Sequence, residues 1–320
     1  MMSNEIGLPS IVFFGTPEFA SYCLEALLNA KFKVLSVVTV PDRKAGRGKK
    51  LTSSAVKKVA ESYGISILQP TNLKAPEFIS NLIDLKAEAF VVVAFRMLPK
   101  VVWSFPKLGT INLHASLLPN YRGAAPINWV LINGEQKTGI TTFLIDNNID
   151  SGLILLKKEV IIELAENAGT LHDKLLYYGA PLLIQTIMGV KSGKIKPIEQ
   201  DILKFESKAP KLTDENTRLD WGNDLKMLKN KIRGLSPYPG AWSFFKNNGI
   251  IKRFKILKAE IIFEKHIHPL NQILIKQNQI FITNSQGYLN CLEIQLPNKK
   301  KMSVKALLNG YKFTLDACVL

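Results

Sequence analysis

Apolar residues in the first 190 positions form short continuous runs, separated by stretches with helical spacing. These runs cover residues 11–14, 34–40, 65–68 and 89–94, and residues 110–113 are another strand candidate. Strands that are apolar on both faces are typical of a parallel sheet covered by helices on both sides. The pattern therefore predicts an α/β domain whose ligands bind beyond the carboxyl ends of the strands.

Helical patterns between these runs complete a Rossmann-like, mostly parallel sheet flanked by helices. Thr16 and Pro17 predict the N-cap and the first position of one helix. Thr170, with Asp173 three residues later, predicts a capping box at the start of a long helix. Two further apolar runs, which we expect to pair as a hairpin, cover residues 139–145 and 153–162.

The hydrophobic pattern changes beyond residue 210. A helical pattern near 222–233 is followed by short strand-like runs that Asn-Gly, Pro and Gln-Gly turns interrupt. These runs cover residues 241–245, 250–259, 272–276, 279–283 and 289–296. They predict a smaller C-terminal β-barrel, OB-like, or else a sandwich. We expect a catalytic domain at 1–190, a linker at 191–210 and the barrel domain at 211–320.

The chain is strongly basic. It holds 42 Lys and Arg against 26 Asp and Glu in 320 residues, a net charge of +16. Such an excess favours a polyanionic partner such as nucleic acid. The alternative is a lysine-rich amino-acid usage without function. Residues 206–320 hold 19 basic against 9 acidic residues, net +10, and this concentration in the smaller part argues against that alternative.

Three cysteines, Cys23, Cys291 and Cys318, are widely spaced and form no CxxC or Cys/His ligand pattern. We therefore expect a reducing compartment and no metal site. The longest apolar run near the N-terminus, residues 89–95, is far shorter than the roughly 20 residues that a bilayer span requires. We expect a cytoplasmic protein that contacts no membrane, and a monomer.

The strongest candidate for chemistry is the pair Asn112 and His114. Two residues apart on a strand, they point to the same face near its carboxyl end. An amide and an imidazole there can bind one carbonyl oxygen and stabilise the charge that develops when a nucleophile attacks. Asp150 can set the histidine tautomer and accept a proton. Spacing alone leaves the alternatives open: a buried Asn and His satisfied by backbone, and a turn aspartate.

These residues belong to a longer set of motifs that resembles the folate-dependent formyltransferases. Within that family the resemblance is to members that act on aminoacylated initiator tRNA, and it covers nearly the whole chain. The motifs span residues 112–119, 121–126 and 149–152, with supporting segments at 14–19, 41–50, 232–242 and 299–303.

The resemblance implies transfer of a formyl group from 10-formyltetrahydrofolate to the α-amino group of methionine on initiator tRNA, for translation initiation. Asn112, His114 and Asp150 match the catalytic positions of the family. One departure is the segment 94–99, where many members carry a Tyr-Gly pair. The residues that match or adjoin the folate-binding segments are Ser116, Leu117, Leu118, Pro119, Phe95, Met97 and Leu98.

Two basic regions are the predicted tRNA contacts. A glycine-containing loop at 41–50 follows a strand end, and we expect it to meet the acceptor end; its basic residues are Arg43, Lys44, Arg47, Lys49 and Lys50. We expect the barrel to follow phosphates with Lys252, Arg253, Lys299, Lys300 and Lys301. The alternative for each is a solvated surface residue. Tyr238 and Trp242 are interpreted as packing residues, with base stacking as the alternative.

Three competing functions remain. An amino-sugar-nucleotide formyltransferase shares the Asn, His and Asp core, but the cation cluster at 43–50 argues against such a small substrate. About 110 residues after the linker disfavour a glycinamide-ribonucleotide formyltransferase. The third alternative is a non-catalytic RNA-binding protein, and the intact Asn112, His114 and Asp150 argue against it.

Overall fold

The computed structural model describes residues 7–45, 50–201, 203 and 207–320. They form two compact units. The first comprises the described residues of Met1–Gly123, Lys137–Ile161 and His172–Lys208, and the second those of Ala124–Gln136, Ile162–Leu171 and Ala209–Leu320. The domain division at 1–190, 191–210 and 211–320 stays a prediction.

The strands up to residue 209 are β1 (Ser10–Gly15), β2 (Lys33–Val38), β3 (Arg43–Ala45), β4 (Lys50–Thr52), β5 (Ile67–Leu68), β6 (Ala89–Val93), β7 (Thr110–His114), β8 (Arg122–Gly123), β9 (Lys137–Leu144), β10 (Ile154–Ile161) and β11 (Lys208–Ala209). The helices of the same range are α1 (Glu18–Asn29), α2 (Ala55–Ser62), α3 (Pro76–Asp84), α4 (Lys100–Trp103), α5 (Pro126–Ile132) and α6 (Ala168–Lys191).

The first unit is built on a seven-stranded sheet with the order β10-β9-β7-β6-β1-β2-β5. The five strands from β7 to β5 run parallel, while β9 is antiparallel to β7 and β10 is antiparallel to β9. All five residues of β6 are buried, as expected for a strand covered on both faces. The predicted Rossmann-like, mostly parallel sheet is confirmed, and so is the hairpin of β9 and β10.

Two predicted helix starts differ from the structure. The N-cap of α1 is Pro17 rather than Thr16, because the Pro17 carbonyl already accepts N–H bonds from Ala20 and Ser21. Helix α6 starts before Thr170, which makes the predicted capping box wrong.

Asn167 caps α6 instead. Its side-chain oxygen accepts the N–H groups of Gly169 and Thr170 at 2.9 and 3.1 Å. The Thr170 hydroxyl donates back to the Asn167 carbonyl, and Asp173 contacts His172 at 3.0 Å. Asn167 and Thr170 are both residue types that cap helices. Asn167, the upstream one, accepts the N–H groups that have no partner within the first turn of the helix.

The second unit contains an antiparallel barrel. Its strands are β12 (Ala241–Asn247), β13 (Ile250–Phe263), β14 (Ile273–Lys276), β15 (Gln279–Asn284), β16 (Gly287–Gln295), β17 (Met302–Ser303) and β18 (Cys318–Val319), and its later helices are α7 (Asp214–Thr217), α8 (Leu225–Leu235) and α9 (Val304–Leu308). The strand order is β14-β15-β16-β13-β12-β18, with β17 paired to β16.

Backbone hydrogen bonds return β18 to the start of β14 and close this barrel. Ile273 N–H donates to the Ala317 carbonyl at 2.8 Å, and Val319 N–H donates to the Asn271 carbonyl at 2.9 Å. Phe245, among the fully buried side chains, lies in the core with one face of α8. The predicted C-terminal barrel is therefore confirmed.

Part of the predicted linker pairs with the sheet of the first unit. Ile198 exchanges two backbone hydrogen bonds with Ile154, at 2.7 and 2.9 Å, at the beginning of β10. Gln200, two residues later, is only 8% exposed. The segment around 198–200 is therefore a packed part of this unit.

Candidate active site

Asn112 and His114 lie at the carboxyl end of β7, two residues apart and on the same face. His114 is buried, while Asn112 is partly exposed. Within the part of the chain that the structure describes, the Asn112 side chain has no hydrogen-bond partner. Its amide N–H groups are thus available to a ligand at this edge of the sheet.

The His114 ring lies between a carbonyl and a carboxylate. Its Nε2 is 2.9 Å from the Tyr121 carbonyl oxygen, and its Nδ1 is 3.7 Å from Asp150 Oδ2. A carbonyl oxygen only accepts hydrogen bonds, so Nε2 carries a proton. Nδ1 is therefore the ring atom that can gain or release a proton, and it faces Asp150.

The backbone of the loop 146–152 sets the position of Asp150. Asp150 adopts a left-handed φ of 51°, and its Oδ2 accepts the N–H of Gly123 at 2.8 Å. Asp146 shapes the same loop by accepting the Ser151 hydroxyl at 2.8 Å. Only glycine fits at position 152, because a Cβ there would lie 1.7 Å from the Leu144 carbonyl oxygen. The loop backbone and the Gly123 N–H together hold the carboxylate on the His114 side.

The predicted folate segment at 116–119 follows β7 and is held by hydrogen bonds of Ser116 and of Thr141 in β9. The Ser116 hydroxyl donates to the Asn120 carbonyl at 2.7 Å. Thr141 Oγ1 donates to the Ser116 carbonyl and accepts Leu118 N–H, at 2.7 and 3.1 Å. Leu118 and Pro119 are buried, and Leu117 is half-buried. The structure thus gives Ser116 a scaffolding contact beside Asn112 and His114.

The second predicted folate segment follows β6, whose Val93 pairs with Leu113 of β7. Phe95 packs edge-on against Phe14, at 5.9 Å between ring centroids, and Leu98 is buried in the same apolar cluster. Met97, in contrast, is 70% exposed. The structure therefore places an apolar wall at the edge where β7 ends.

Arg96 is a residue of this segment that the sequence motifs do not single out. Its guanidinium donates to the carbonyls of Pro70 and Thr71, the latter at 3.0 Å, and its Nε is buried without a partner among the described residues. Burial, and then the charge of Arg43, lower the pKa of Arg96. The available signal in the sequence was a charged residue three positions after the buried strand β6.

The predicted basic loop at 41–50 contains a β-hairpin, since Arg43 of β3 pairs with Thr52 of β4. Arg43 and Lys44 are exposed, Lys50 lies in β4, and Arg47 and Lys49 fall outside the described residues. Hydrogen bonds from Lys57 and Gln69 lower the pKa of Asp42 and fix the base of this hairpin.

The predicted tRNA contacts of the second unit differ in their surroundings. Arg253 lies 3.7 Å from the centroid of the Trp242 ring and pairs with Asp214, whereas the Lys252 ammonium lies 5.5 Å from the Tyr311 ring. The exposed lysines are Lys299, Lys300 and Lys301. Exposed lysines suit mobile phosphate contacts, while Arg253 is already engaged by the protein.

The two aromatic residues of the segment 236–242 have different environments in the second unit. Trp242 is 6% exposed and its indole donates to the Asp214 carbonyl at 2.9 Å, so it packs as predicted. Tyr238 is 82% exposed, which makes the packing interpretation wrong for this residue. Both line a cavity of about 510 Å³ that Lys211, Arg253 and Lys255 also border.

Cysteine thiols and groups of metal-binding side chains are the other candidates for chemistry. Burial raises the pKa of the Cys23 and Cys291 thiols to about 12, so these groups stay protonated at neutral pH. Across residues 7–45, 50–201, 203 and 207–320, no three His, Cys, Asp or Glu side chains are grouped to hold a metal ion. Over the same ranges no helix is long and apolar enough to cross a bilayer.

Two family profiles match the sequence. The formyl transferase profile matches residues 9–187, and the formyl transferase C-terminal domain profile matches residues 211–312. A methionyl-tRNA formyltransferase from Flavobacterium johnsoniae is 47% identical over 97% of this chain and 98% of its own length. One from Bacteroides fragilis is 43% identical over 95% of each chain.

A solved structure shares the architecture. The N-formyltransferase from Helicobacter canadensis, crystallised with folinic acid and dTDP-3-aminofucose, has a TM-score of 0.63 at 20% identity. The match covers 91% of this chain and 100% of that one. At this identity the likeness shows the fold alone.

Proposed function

This chain belongs to the formyl transferase family, and from that premise we propose that it transfers the formyl group of 10-formyltetrahydrofolate to the α-amino group of methionine on initiator tRNA. Its relatives at 41–47% identity bear the name methionyl-tRNA formyltransferase. The observation that carries the proposal is that His114 Nδ1 faces Asp150 beside the free amide of Asn112, in a chain that these relatives match nearly end to end.

The folate donor supplies the carbonyl carbon that the amine attacks. A formamide carbon is a weak electrophile, so the protein must donate hydrogen bonds to its oxygen and take a proton from the amine. We assign the first task to the Asn112 amide, which has no competing partner among the described side chains. His114 can donate a second hydrogen bond to this oxygen only from a protonated Nδ1, because its Nε2–H already donates to the Tyr121 carbonyl.

Asp150 accepts the amine proton in this proposal, directly or through water, and the proton is returned to N10 of the folate as the bond between N10 and the formyl carbon breaks. Its Oδ2 already accepts the Gly123 N–H, so the carboxylate is oriented before a substrate arrives. The 3.7 Å gap to Nδ1 is wider than a hydrogen bond of about 2.9 Å. Catalytic contacts often shorten only when the substrate is bound.

The residues beside this group fit a folate. Phe95 and Met97 offer apolar surface, and the segment at 116–119 is held rigid by Thr141. We propose that these two segments hold the pterin end of the donor through main-chain groups and apolar contact. The set proposed for this role is Phe95, Met97, Leu98, Ser116, Leu117, Leu118 and Pro119.

The tRNA would be held by the predicted basic residues of both units. In the first unit they are Arg43, Lys44, Arg47, Lys49 and Lys50, and in the second Lys252, Arg253, Lys299, Lys300 and Lys301. The exposure of Arg43, Lys44 and the three consecutive lysines supports this role.

Because tRNA and folate are proposed as substrates, we also propose a cytoplasmic location, and we keep the predicted monomer. Cell fractionation and light scattering test these two points.

The function is tested by incubating the purified protein with 10-formyltetrahydrofolate and either methionyl initiator tRNA or a dTDP-amino sugar. We expect N-formylmethionyl-tRNA as the product, detected by mass spectrometry after nuclease treatment, and no formylated sugar. Formylation of the sugar alone would establish the rival function. Retention of tRNA without formylation would support the non-catalytic alternative.

A further inference from the structure

Gln200 forms four hydrogen bonds that join two loops of the first unit. Its Oε1 accepts from Arg122 Nε at 3.1 Å and from the terminal Nη2 at 2.6 Å. Its Nε2 donates to the carbonyls of Asp150 at 2.9 Å and Gly152 at 2.8 Å. The Gln200 side chain is almost entirely buried, and its contact with the Gly152 carbonyl is buried too, so removal of the amide donor would leave that carbonyl without bulk water as a replacement.

Both loops that Gln200 joins touch the His114–Asp150 pair. Arg122 stands between Tyr121, whose carbonyl accepts from His114 Nε2, and Gly123, whose N–H donates to Asp150 Oδ2. On the other side, Gln200 holds the main chain of Asp150 itself. One buried amide therefore connects the segment that orients the ring with the loop that carries the carboxylate.

We propose that Gln200 is a positioning residue, which sets the Asp150 carboxylate against His114 Nδ1 by clamping the loop 121–123 to the loop 150–152. The inference rests on the proposed formyl transfer and gives a role to a segment that the sequence presents as a linker. Asp150 has a left-handed backbone, and the two donated hydrogen bonds hold its main chain in that conformation.

The decisive variant is Gln200→Glu, because a carboxylate keeps the contact with Arg122 but cannot donate to the carbonyls of Asp150 and Gly152. We expect kcat for methionyl-tRNA to fall about 10- to 100-fold, the loss typical of residues that orient the ligands of a catalytic metal. KM for the folate and for tRNA should change less than about twofold, since Gln200 touches neither substrate in this proposal.

A matched control is Asn284→Asp in the second unit. Asn284 is also buried, donates from its amide to the Asn223 carbonyl at 3.0 Å and accepts the Gln286 N–H. The same change from amide to acid should leave kcat unaltered. Thermal unfolding reports whether each variant is folded. If Gln200→Glu does not fold, Gln200→Asn keeps the amide with a shorter reach and should show the same fall in kcat.

A double-mutant cycle with Asp150→Asn separates positioning from general support of the structure. If Gln200 acts through Asp150, adding Gln200→Glu to Asp150→Asn should lower the single-turnover rate by less than about threefold. A full 10- to 100-fold further loss, or an unaltered kcat of Gln200→Glu alone, would overturn the proposal. An inactive wild-type protein would instead reject the proposed function.

Discussion

The two units use polar residues in opposite ways. In the first, buried polar groups such as His114, Ser116 and Gln200 each have a defined partner and gather at one edge of the sheet. In the second, the cations proposed to meet RNA lie on β13 and after its neighbour β16, and Lys299, Lys300 and Lys301 are exposed. The first unit should therefore depend on the position of a few atoms, and the second on the sum of many charges.

The two folds account for this difference. Parallel neighbours such as β6 and β7 end at the same edge, which brings side chains from distant positions to one place. An antiparallel barrel instead alternates its residues between interior and exterior, and Lys299, Lys300 and Lys301 lie in the exposed connection between β16 and β17. The comparison predicts sharp losses from single substitutions in the first unit and graded losses in the second.

The largest expected effect comes from Asn112→Ala. Removal of one donor to a developing oxyanion typically lowers the rate about 10²- to 10³-fold, and we expect that loss in kcat. The melting temperature should not fall, because the Asn112 amide has no partner among the described residues. Stopped-flow or quenched single-turnover assays measure the rate. The exposed Asn309→Ala serves as control, and a near wild-type kcat for Asn112→Ala would remove this residue from the mechanism.

A smaller effect is expected from Arg43→Ala combined with Arg47→Ala, both in the basic segment 41–50. Each ionic hydrogen bond to RNA that is removed costs about 1.5 kcal/mol or more, so kcat/KM for tRNA should fall at least about tenfold per arginine. KM for the folate should stay constant. Steady-state assays that vary each substrate separately measure both constants. Equal losses toward both substrates would place the hairpin at the folate site instead.

The triple variant of Lys299, Lys300 and Lys301 to alanine tests whether many separate charges of the second unit contribute to RNA binding. Each lysine–phosphate pair that is removed should reduce the slope of log K against log salt by about 0.7 to 0.9, so the slope should become shallower by about 2 to 3. At saturating tRNA, kcat should not change. Filter binding over a series of salt concentrations gives the slope. An unaltered slope would show these lysines to be solvated residues that do not touch RNA.

Much of this architecture is predictable from local patterns. The buried runs mark β1 and β6, because a strand covered on both faces is apolar along most of its length. The spacing of Asn112 and His114 fixes their common face. Their position at the end of a parallel strand directs the search to the correct edge.

Other features depend on interactions that local patterns do not contain. The four hydrogen bonds of Gln200 join residues 48 to 78 positions apart, and a glutamine within a turn-rich segment carries no local sign of them. Asn167 rather than Thr170 caps α6, because the helix already begins at Ala168. Both residue types can cap a helix, so the sequence alone does not show which one does. Tyr238 follows a proline-rich pattern that gives no information on its exposure.

The smallest effect is expected from Glu88→Gln, which tests whether charge matters in the first unit away from the site. Hydrogen bonds from Lys191 and then from the Ser10 N–H lower the pKa of Glu88. A lowered folded pKa means that the ion pair stabilises the protein above the unfolded pKa of about 4.3, and that this contribution is lost as the pH falls through the folded value. Since the two side chains are 27% and 38% exposed, the loss at pH 7 should stay below about 1 kcal/mol. Urea unfolding at pH 7 and pH 3 should show a larger difference from wild type at pH 7 than at pH 3, with kcat unchanged. A fall in kcat would mean that the first unit responds to charges far from the site, as the second unit is expected to do.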